Sequence, residues 1–394
     1  MTQLRIPAVF MRGGTSKAVM LKEADLPRNR AEWPGLFARM LGSPDPSARQ
    51  LDGMGGGVSS LSKVCVIGPS SRADADIDYT FAQVVVKTGQ VDFAGNCGNM
   101  SSAVGPFAVD EGLVPAPRDG EALVRIHNTN SGKIIHARFA MRDGEAEVEG
   151  GLAIPGVSGT GAPVRLTFLD PAGTRGRGLF PAGAVLSMLP HGPDGRIAAT
   201  LVDAAVPAVF VAAADLGLAP GIMPAELDTR EDILALLEDL RCAGSAAMGI
   251  APDTAAARGI AAVPKIALVG APAPYRALDG SLIEAGEHDI LVRMISAGQP
   301  HRALPITGSL AVAAALATPG SLPHALAGAR RAGAGFRIGS PSGIITVEAE
   351  TAPGPDGIPA IASATILRTQ RRLMEGRVRV PAPSADEHAL PTGE

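Results

Sequence analysis

The sequence predicts an α/β fold, in the broad sense that includes α+β, built from two similar halves. Three observations support this. The chain has 394 residues, enough for two substantial cores. Short β-type runs alternate with Gly-rich loops that open into helix-type segments. The order of these segments recurs in weakened form in the second half, as expected of an internal duplication. LSKVCVIG (61–68) can be laid over VPKIALVG (263–270), each with a lysine third and a glycine last. HDILVRMISAG (288–298) followed by PITGSLAVAAALA (305–317) then matches the strand–GNCGN–helix order of 89–109.

In chain order, residues 4–22 read as a strand, a Gly turn and a strand. Pro27 to Met40 reads as a helix, with Trp33, Leu36 and Met40 on one face, ended by SPDP at 43–46. A Gly-rich loop at 51–57 runs into a strand at 61–68, and 77–87 alternates as another strand. Residues 89–109 give a strand, a Gly/Asn loop and a helix, with a kink or early break expected at Pro106. Strands follow at 121–149 and 163–170. The Gly/Pro/Ala-rich stretch around 171–197 is the natural boundary. It separates an N-terminal unit of 1–183 from a C-terminal unit of 184–394, with a strand within 360–381 free to return and complete the first.

Composition narrows the function. Hydrophobic residues make up 46% and charged residues 19%, as in a globular chain, and the net charge is −4. No basic stripe suits a phosphate backbone, and one Trp and two Tyr make a base-stacking surface improbable, so no nucleic-acid partner is expected. The polar start Met1-Thr2-Gln3-Leu4-Arg5 shows no secretory leader, and Ala-rich runs such as 310–317 fall well short of the ~20 residues of a membrane span. Cys65, Cys97 and Cys242 form no CxxC, which fits reduced thiols and a cytoplasmic setting. The seven histidines form no HxH or HExxH pattern, so no metal is expected.

GNCGN at 95–99 is the sharpest local signal. Gly95 and Gly98 permit tight turns and close ligand approach, and Asn99 is placed to cap a helix starting near Met100. A thiol at a helix mouth feels free N–H groups and the positive dipole end, which favours thiolate. Nucleophile, acid–base thiol and anion-binding turn are all open for Cys97; the plainer alternative is a small buried hydrophobe. Lys63, at the edge of a polar SSLS segment, is either a base in a cleft or a solvated lysine or anchor. Lys265, its repeat partner, reads as an anchor. MRGGTSK (11–17) lacks Walker spacing and GMGGG (53–57) lacks a dinucleotide-loop context, but both loops could offer N–H groups to carboxylates. PITGS (305–309) and IGSPSG (338–343) are similar small-residue loops.

MRGGTSK, GSPDP (42–46), LDGMGG (51–56), SKVCVI (62–67), GNCGNM (95–100) and AVGPFAV (103–109) together resemble the PrpF-like isomerases of the diaminopimelate-epimerase-like fold. That family includes 2-methylaconitate cis–trans isomerase, methylitaconate Δ-isomerase and 4-oxalomesaconate tautomerase. The similarity is dense over 5–115 and thinner through FLDP (168–171), PKI (264–266), PITGS and PSG (341–343). The resemblance implies two domains, each a curved, mostly antiparallel sheet wrapped around a central helix, with the site between them. It implies an isomerase without metal or organic cofactor, moving a double bond or interconverting cis and trans forms of a small unsaturated di- or tricarboxylate; a homodimer is compatible with it. Lys63 and Cys97 match the catalytic lysine and cysteine. Ser16, Lys17, Gly55, Gly56, Asn99 and Met100 would line the substrate from one half, and Lys265, Thr307, Gly308, Ser309, Ser342 and Gly343 from the other.

This sequence has Ala18 where the family more often has glycine, and no cysteine in PITGSLAV, which argues against two-thiol epimerisation. FAGNCGN looks closer to the methylaconitate branch than to the oxalomesaconate branch. A 2-methylaconitate-like substrate is therefore expected; the competing readings are a 4-oxalomesaconate-type keto–enol or allylic tautomerase, a racemase or epimerase, and a non-catalytic accessory to an iron–sulfur dehydratase.

Overall fold

The structure, a computed structural model, describes residues 3–192, 195–296, 298–328, 335–354 and 357–382. The outer bounds of the expected halves, 1 and 394, lie outside these. The first half contributes β1 (Gln3–Gly13), β2 (Ser16–Lys22), α1 (Trp33–Leu41), β3 (Lys63–Pro69), β4 (Ile77–Val84), α2 (Gly98–Asp110), β5 (Gly120–Asn128), β6 (Lys133–Arg142) and β7 (Val164–Leu169). The second contributes β8 (Ser187–His191), β9 (Gly195–Ala204), β10 (Val206–Ala212), α3 (Glu231–Ala247), β11 (Lys265–Gly270), β12 (Ile290–Ser296), α4 (Ile306–Leu316), β13 (Phe336–Ser340), β14 (Gly343–Ala352), β15 (Ala360–Arg368) and β16 (Gln370–Pro381).

The strand pairings repeat join for join. From β1, the order runs antiparallel to β2, parallel to β3, antiparallel to β4, parallel to β5, then antiparallel to β6 and β7. From β9 it runs antiparallel to β10, parallel to β11, antiparallel to β12, parallel to β13, then antiparallel to β14 and β15. The first series is extended by β16 and the second by β8, each antiparallel. β15 also pairs with β7, so one hydrogen-bonded sheet of 19 strands passes through both series. The expected overlay of 61–68 on 263–270 thus holds as β3 on β11, whereas 288–298 corresponds to β4 rather than to the short strand at Val91–Asp92.

Alternation along the strands explains the layering, because successive side chains face opposite sides. On β3, Cys65 and Ile67 join the core around α2 while Val64 and Val66 pack with Trp33, Phe37 and Leu41 of α1. On β11, Ala267 and Val269 face the same central core while Ile266 and Leu268 pack with Leu237 and Leu240 of α3. Each series of strands therefore has an inner face on a central helix and an outer face under another helix. Every residue of α4 is buried, as its unbroken run of small and apolar side chains requires.

Three local expectations are corrected. α1 begins at Trp33, because Pro34 is tolerated only in the first turn; Arg30–Glu32 form a 3₁₀ turn before it. α2 runs unbroken through Pro106 to Asp110. A proline ring normally crowds the Cβ of the preceding residue, and Gly105 has none. Asn99 does not cap α2: Cys97 is the N-cap residue and Asn99 lies inside the first turn. No helix among the described residues is long and apolar enough to cross a membrane.

Candidate active site

The two central helices meet at their N-termini. A Cβ on Gly98 would stand 2.8 Å from both Cβ and Cγ2 of Ile306 and 3.5 Å from Cγ2 of Thr307, so only glycine lets the helices approach this closely. Free backbone N–H groups and the positive ends of both dipoles gather there, a setting that favours anions. Cys97 is 8% exposed, and its side chain makes no capping bond; its carbonyl accepts from the N–H of Ser101 at 3.1 Å.

Lys63 opens β3 on its inner face, with Cys65 and Ile67, and is 8% exposed, so it is no solvated surface lysine. Its amine donates to Oε1 of Gln83, its partner across β4, at 2.6 Å and lies 4.9 Å from the Phe81 ring centroid. Lys265 opens β11 on the corresponding face and donates to Oγ of Ser296 at 2.8 Å. Neither amine has an acidic partner among the described residues. Burial, then the charge of Lys63, lowers the Lys265 pKa to about 8, while Cys97 acts in the opposite sense. Lys265 is thus close enough to both Lys63 and Cys97 to feel their charge.

Cys65 is the contrasting thiol. It is fully buried, 3.7 Å from the Tyr79 hydroxyl, and burial pushes its pKa up, so it stays protonated.

Thr15 binds the other side of the α2 N-terminus. Its N–H donates to Oδ1 of Asn99 at 3.3 Å, and its Oγ1 accepts from Nδ2 of Asn99 at 3.1 Å. Gly14, at φ +51°, leaves room for this, since a Cβ there would fall 2.2 Å from Oδ1 of Asn99. A Cβ on Gly156 would contact Thr15, Ala303 and Ser342, which marks where loops of both halves converge. The Ser342 hydroxyl is buried and has no partner, and Gly343 follows it at φ +123°. Met100, Thr307 and Ser309 are buried in the first turns, and Met294 fills the space beside Gly308.

Other expected residues sit elsewhere. Ser16 is buried on the inner face of β2 with Ala18 and Met20, but Lys17 points to the opposite face, its amine 5.5 Å from the Phe10 ring centroid. Gly55 and Gly56 pack against Gln50 and Leu61, and the N–H groups of Met54, Gly55 and Gly57 already donate to Met40, Leu41 and Gln50. Sequence reasoning missed Thr15, although it lies in MRGGTSK, and missed the lysine partners Gln83 and Ser296. It also missed His301, whose pKa burial and the charges of Lys265 and Lys63 push down to about 3; the imidazole is neutral, with Nε2 buried and unpartnered. Its only sequence cue is its place just before PITGS.

Comparison with known proteins decides the lineage. Residues 3–381 match the family model described as PrpF protein. The chain belongs to the PrpF family. The PrpF chain is 40% identical over 390 residues to a 2-methyl-aconitate isomerase of Cupriavidus necator, covering 96% of this chain and 98% of that one. A crystal structure of methylitaconate-delta-isomerase superposes with a TM-score of 0.83 at 37% identity, covering 98% of this chain and 99% of that one. A probable proline racemase from Agrobacterium radiobacter K84 matches with a TM-score of 0.55 at 17% identity over 97% and 94%, which shows the shared fold. The PrpF chain accordingly has the mixed α/β, epimerase-like architecture and is an isomerase.

Proposed function

We propose that this PrpF protein catalyses a 1,3-allylic proton shift in a small unsaturated di- or tricarboxylate of the 2-methylaconitate kind. The observation that carries the reading is the meeting of two helix N-termini beside two inward-facing amines and a thiol, with no acidic side chain paired to either amine. Such a region attracts carboxylates and places proton-transfer groups beside them.

A C–H bond flanked by a carboxylate and a double bond is weakly acidic. Lys63 takes that proton and the electron pair spreads into a dienolate. Reprotonation at the far carbon moves the double bond; rotation before reprotonation exchanges cis and trans forms. Cys97 assists as a donor or second acid–base group. Helix N–H groups, Thr307, Ser309, Ser342 and the Asn99–Thr15 pair hold the carboxylates, with Ser16, Met100, Gly308 and Gly343 shaping the walls. The shift calls for a base, an acid and an anion site, with no redox step. Three unpaired cysteines, all buried, suit a cytoplasmic setting.

The test is a panel of unsaturated di- and tricarboxylates in deuterated water, followed by proton NMR with the purified protein alone. The wild type should move the double bond of at least one acid, and Lys63→Ala and Cys97→Ala should each slow it by ~10²–10⁴-fold. Deuterium at a stereocentre without a moved double bond would favour racemisation; no turnover without an added dehydratase would favour an accessory role.

A further inference from the structure

We propose that Lys265 is the second proton-transfer group of this site, serving the end of the allyl system opposite the one Lys63 serves. This rests on the allylic reading above and assigns it a residue from the second half of the chain.

The duplicated fold supplies the geometry. Lys63 and Lys265 are the first residues of β3 and β11, strands that occupy the same place in the two series of pairings. Both point to the inner face, toward the central helices. Each donates to a neutral side chain on the next antiparallel strand, Gln83 at 2.6 Å and Ser296 at 2.8 Å. The central helices they point toward touch at Gly98 and Ile306, and Lys265 lies close enough to Lys63 to feel its charge, so each half of the chain brings one amine to the same region. A ligand seated at that junction would be flanked by one amine from each side.

The electrostatics agree with this geometry. A permanent carboxylate anchor is best built from a cation that stays charged, such as an arginine. Lys265 instead sits half-buried without an acidic partner, with Lys63 opposing its charge, and its pKa falls to about 8. Two amines that oppose each other's protonation favour a state with one charged and one neutral. That state holds one base and one acid, which is what a two-ended proton shift uses.

The step balances. Whichever lysine is the neutral amine breaks the C–H bond at its own end of the allyl system, keeps the proton, and leaves the electron pair in the dienolate. The other, as the ammonium, gives a proton to the carbon at its end, a new C–H bond forms there, and that lysine becomes the free amine. The site ends with the protonation of its two lysines exchanged, and solvent restores it. Cys97, beside both, is left to donate a hydrogen bond to the dienolate.

The experiment compares Lys265→Arg and Lys265→Met with wild type in deuterated water, using an acid that the wild type isomerises. Arginine keeps the positive charge but does not release its proton. Both variants should lose kcat by ~10²-fold or more, Lys265→Arg with little change in KM. In both, the proton at the end of the allyl system that Lys63 serves should still exchange with solvent, because Lys63 is intact. Wild-type product should carry solvent deuterium at the new C–H. Near-wild-type kcat in Lys265→Arg, or loss of exchange and turnover together with a raised KM, would reduce Lys265 to an anchor. Return of the substrate's own proton to the distal carbon would likewise overturn the proposal, since it requires a single base. A thermal melt checks that each variant is folded, and Lys265→Met, which needs no new partners, carries the test if arginine does not fit. A wild type inactive on every acid would sink the allylic reading itself, and this proposal with it.

Discussion

Lys63 and Lys265 stand 202 positions apart in a chain of 394 residues, and each donates its amine to the side chain directly across the neighbouring strand, Gln83 and Ser296 respectively. The pair places two like charges on the inward faces of corresponding strands. Its effect on stability can be measured. In the folded chain Lys265 has a pKa of about 8, against an ordinary value of 10.5, so the unfolded chain binds that proton more tightly. Folding therefore opposes the charge in full below pH 8, and the penalty is relieved as pH rises from about 8 toward 10.5. Lys265→Met should melt at a higher temperature than wild type at pH 7, with the gain shrinking above pH 8. A gain independent of pH across that window would contradict the assignment.

Gly98 sets the distance between the two central helices. In a free helix, alanine would be the better residue by ~1 kcal/mol. Here the added methyl would meet Ile306 at 2.8 Å, closer than packed carbons tolerate. Gly98→Ala should destabilise the protein by ~1–3 kcal/mol, as overpacking does, and depress turnover as well. Urea unfolding and kinetics on the same preparation check both, and a stabilised, active variant would show that the helices are free to separate.

Asn99 holds Thr15 while lying in the first turn of α2. Asn99→Asp keeps the acceptor for the Thr15 N–H but introduces a negative charge where a carboxylate ligand is expected. KM should rise about tenfold or more, the factor that ~1.4 kcal/mol of repulsion produces. Little change in melting temperature should accompany it. An unchanged KM would move the anion site away from this turn.

A carboxylate–arginine clasp occurs at matching places in both halves. Asp76 accepts from the N–H of Arg125 at 2.7 Å and from its Nη2 at 2.6 Å; Asp289 accepts from the N–H of Arg337 at 2.7 Å and from its Nη2 at 2.6 Å. Both clasps pin the parallel joins, β4 to β5 and β12 to β13. Asp289 is nearly fully buried. Asp289→Ala should cost ~1–3 kcal/mol, because a backbone N–H and a guanidinium lose their partner. Asp232→Ala, which removes the exposed pair with Arg230, should cost far less, because solvent screens that pair. Comparable losses at the two sites would refute the distinction.

Part of the candidate site was legible because its signals are local. GNCGN placed a thiol at a helix mouth, and the lysine-led overlay of 61–68 on 263–270 identified the paired strands. The failures have a common cause in contacts between distant segments. Asn99 looked like a cap, but Thr15 engages its side chain. Lys17 looked like a ligand, but alternation along β2 turns it to the outer face beside Phe10. His301 carries no pattern of its own; burial, and then the charges of two distant lysines, hold it neutral.

The sequence by itself determined the order of elements in the first half and its echo over 263–317 and, through alternation, which side chains of the matched strands share a face. These depend on neighbours a few residues away, whose spacing the chain states directly. Tertiary structure alone decided that the returning strand lies along β1, that β15 joins β7 to β14, and that two helix N-termini meet at a glycine. Strand pairing uses the same backbone groups at every residue, so it specifies no partner until side chains from both ends of the chain are packed together.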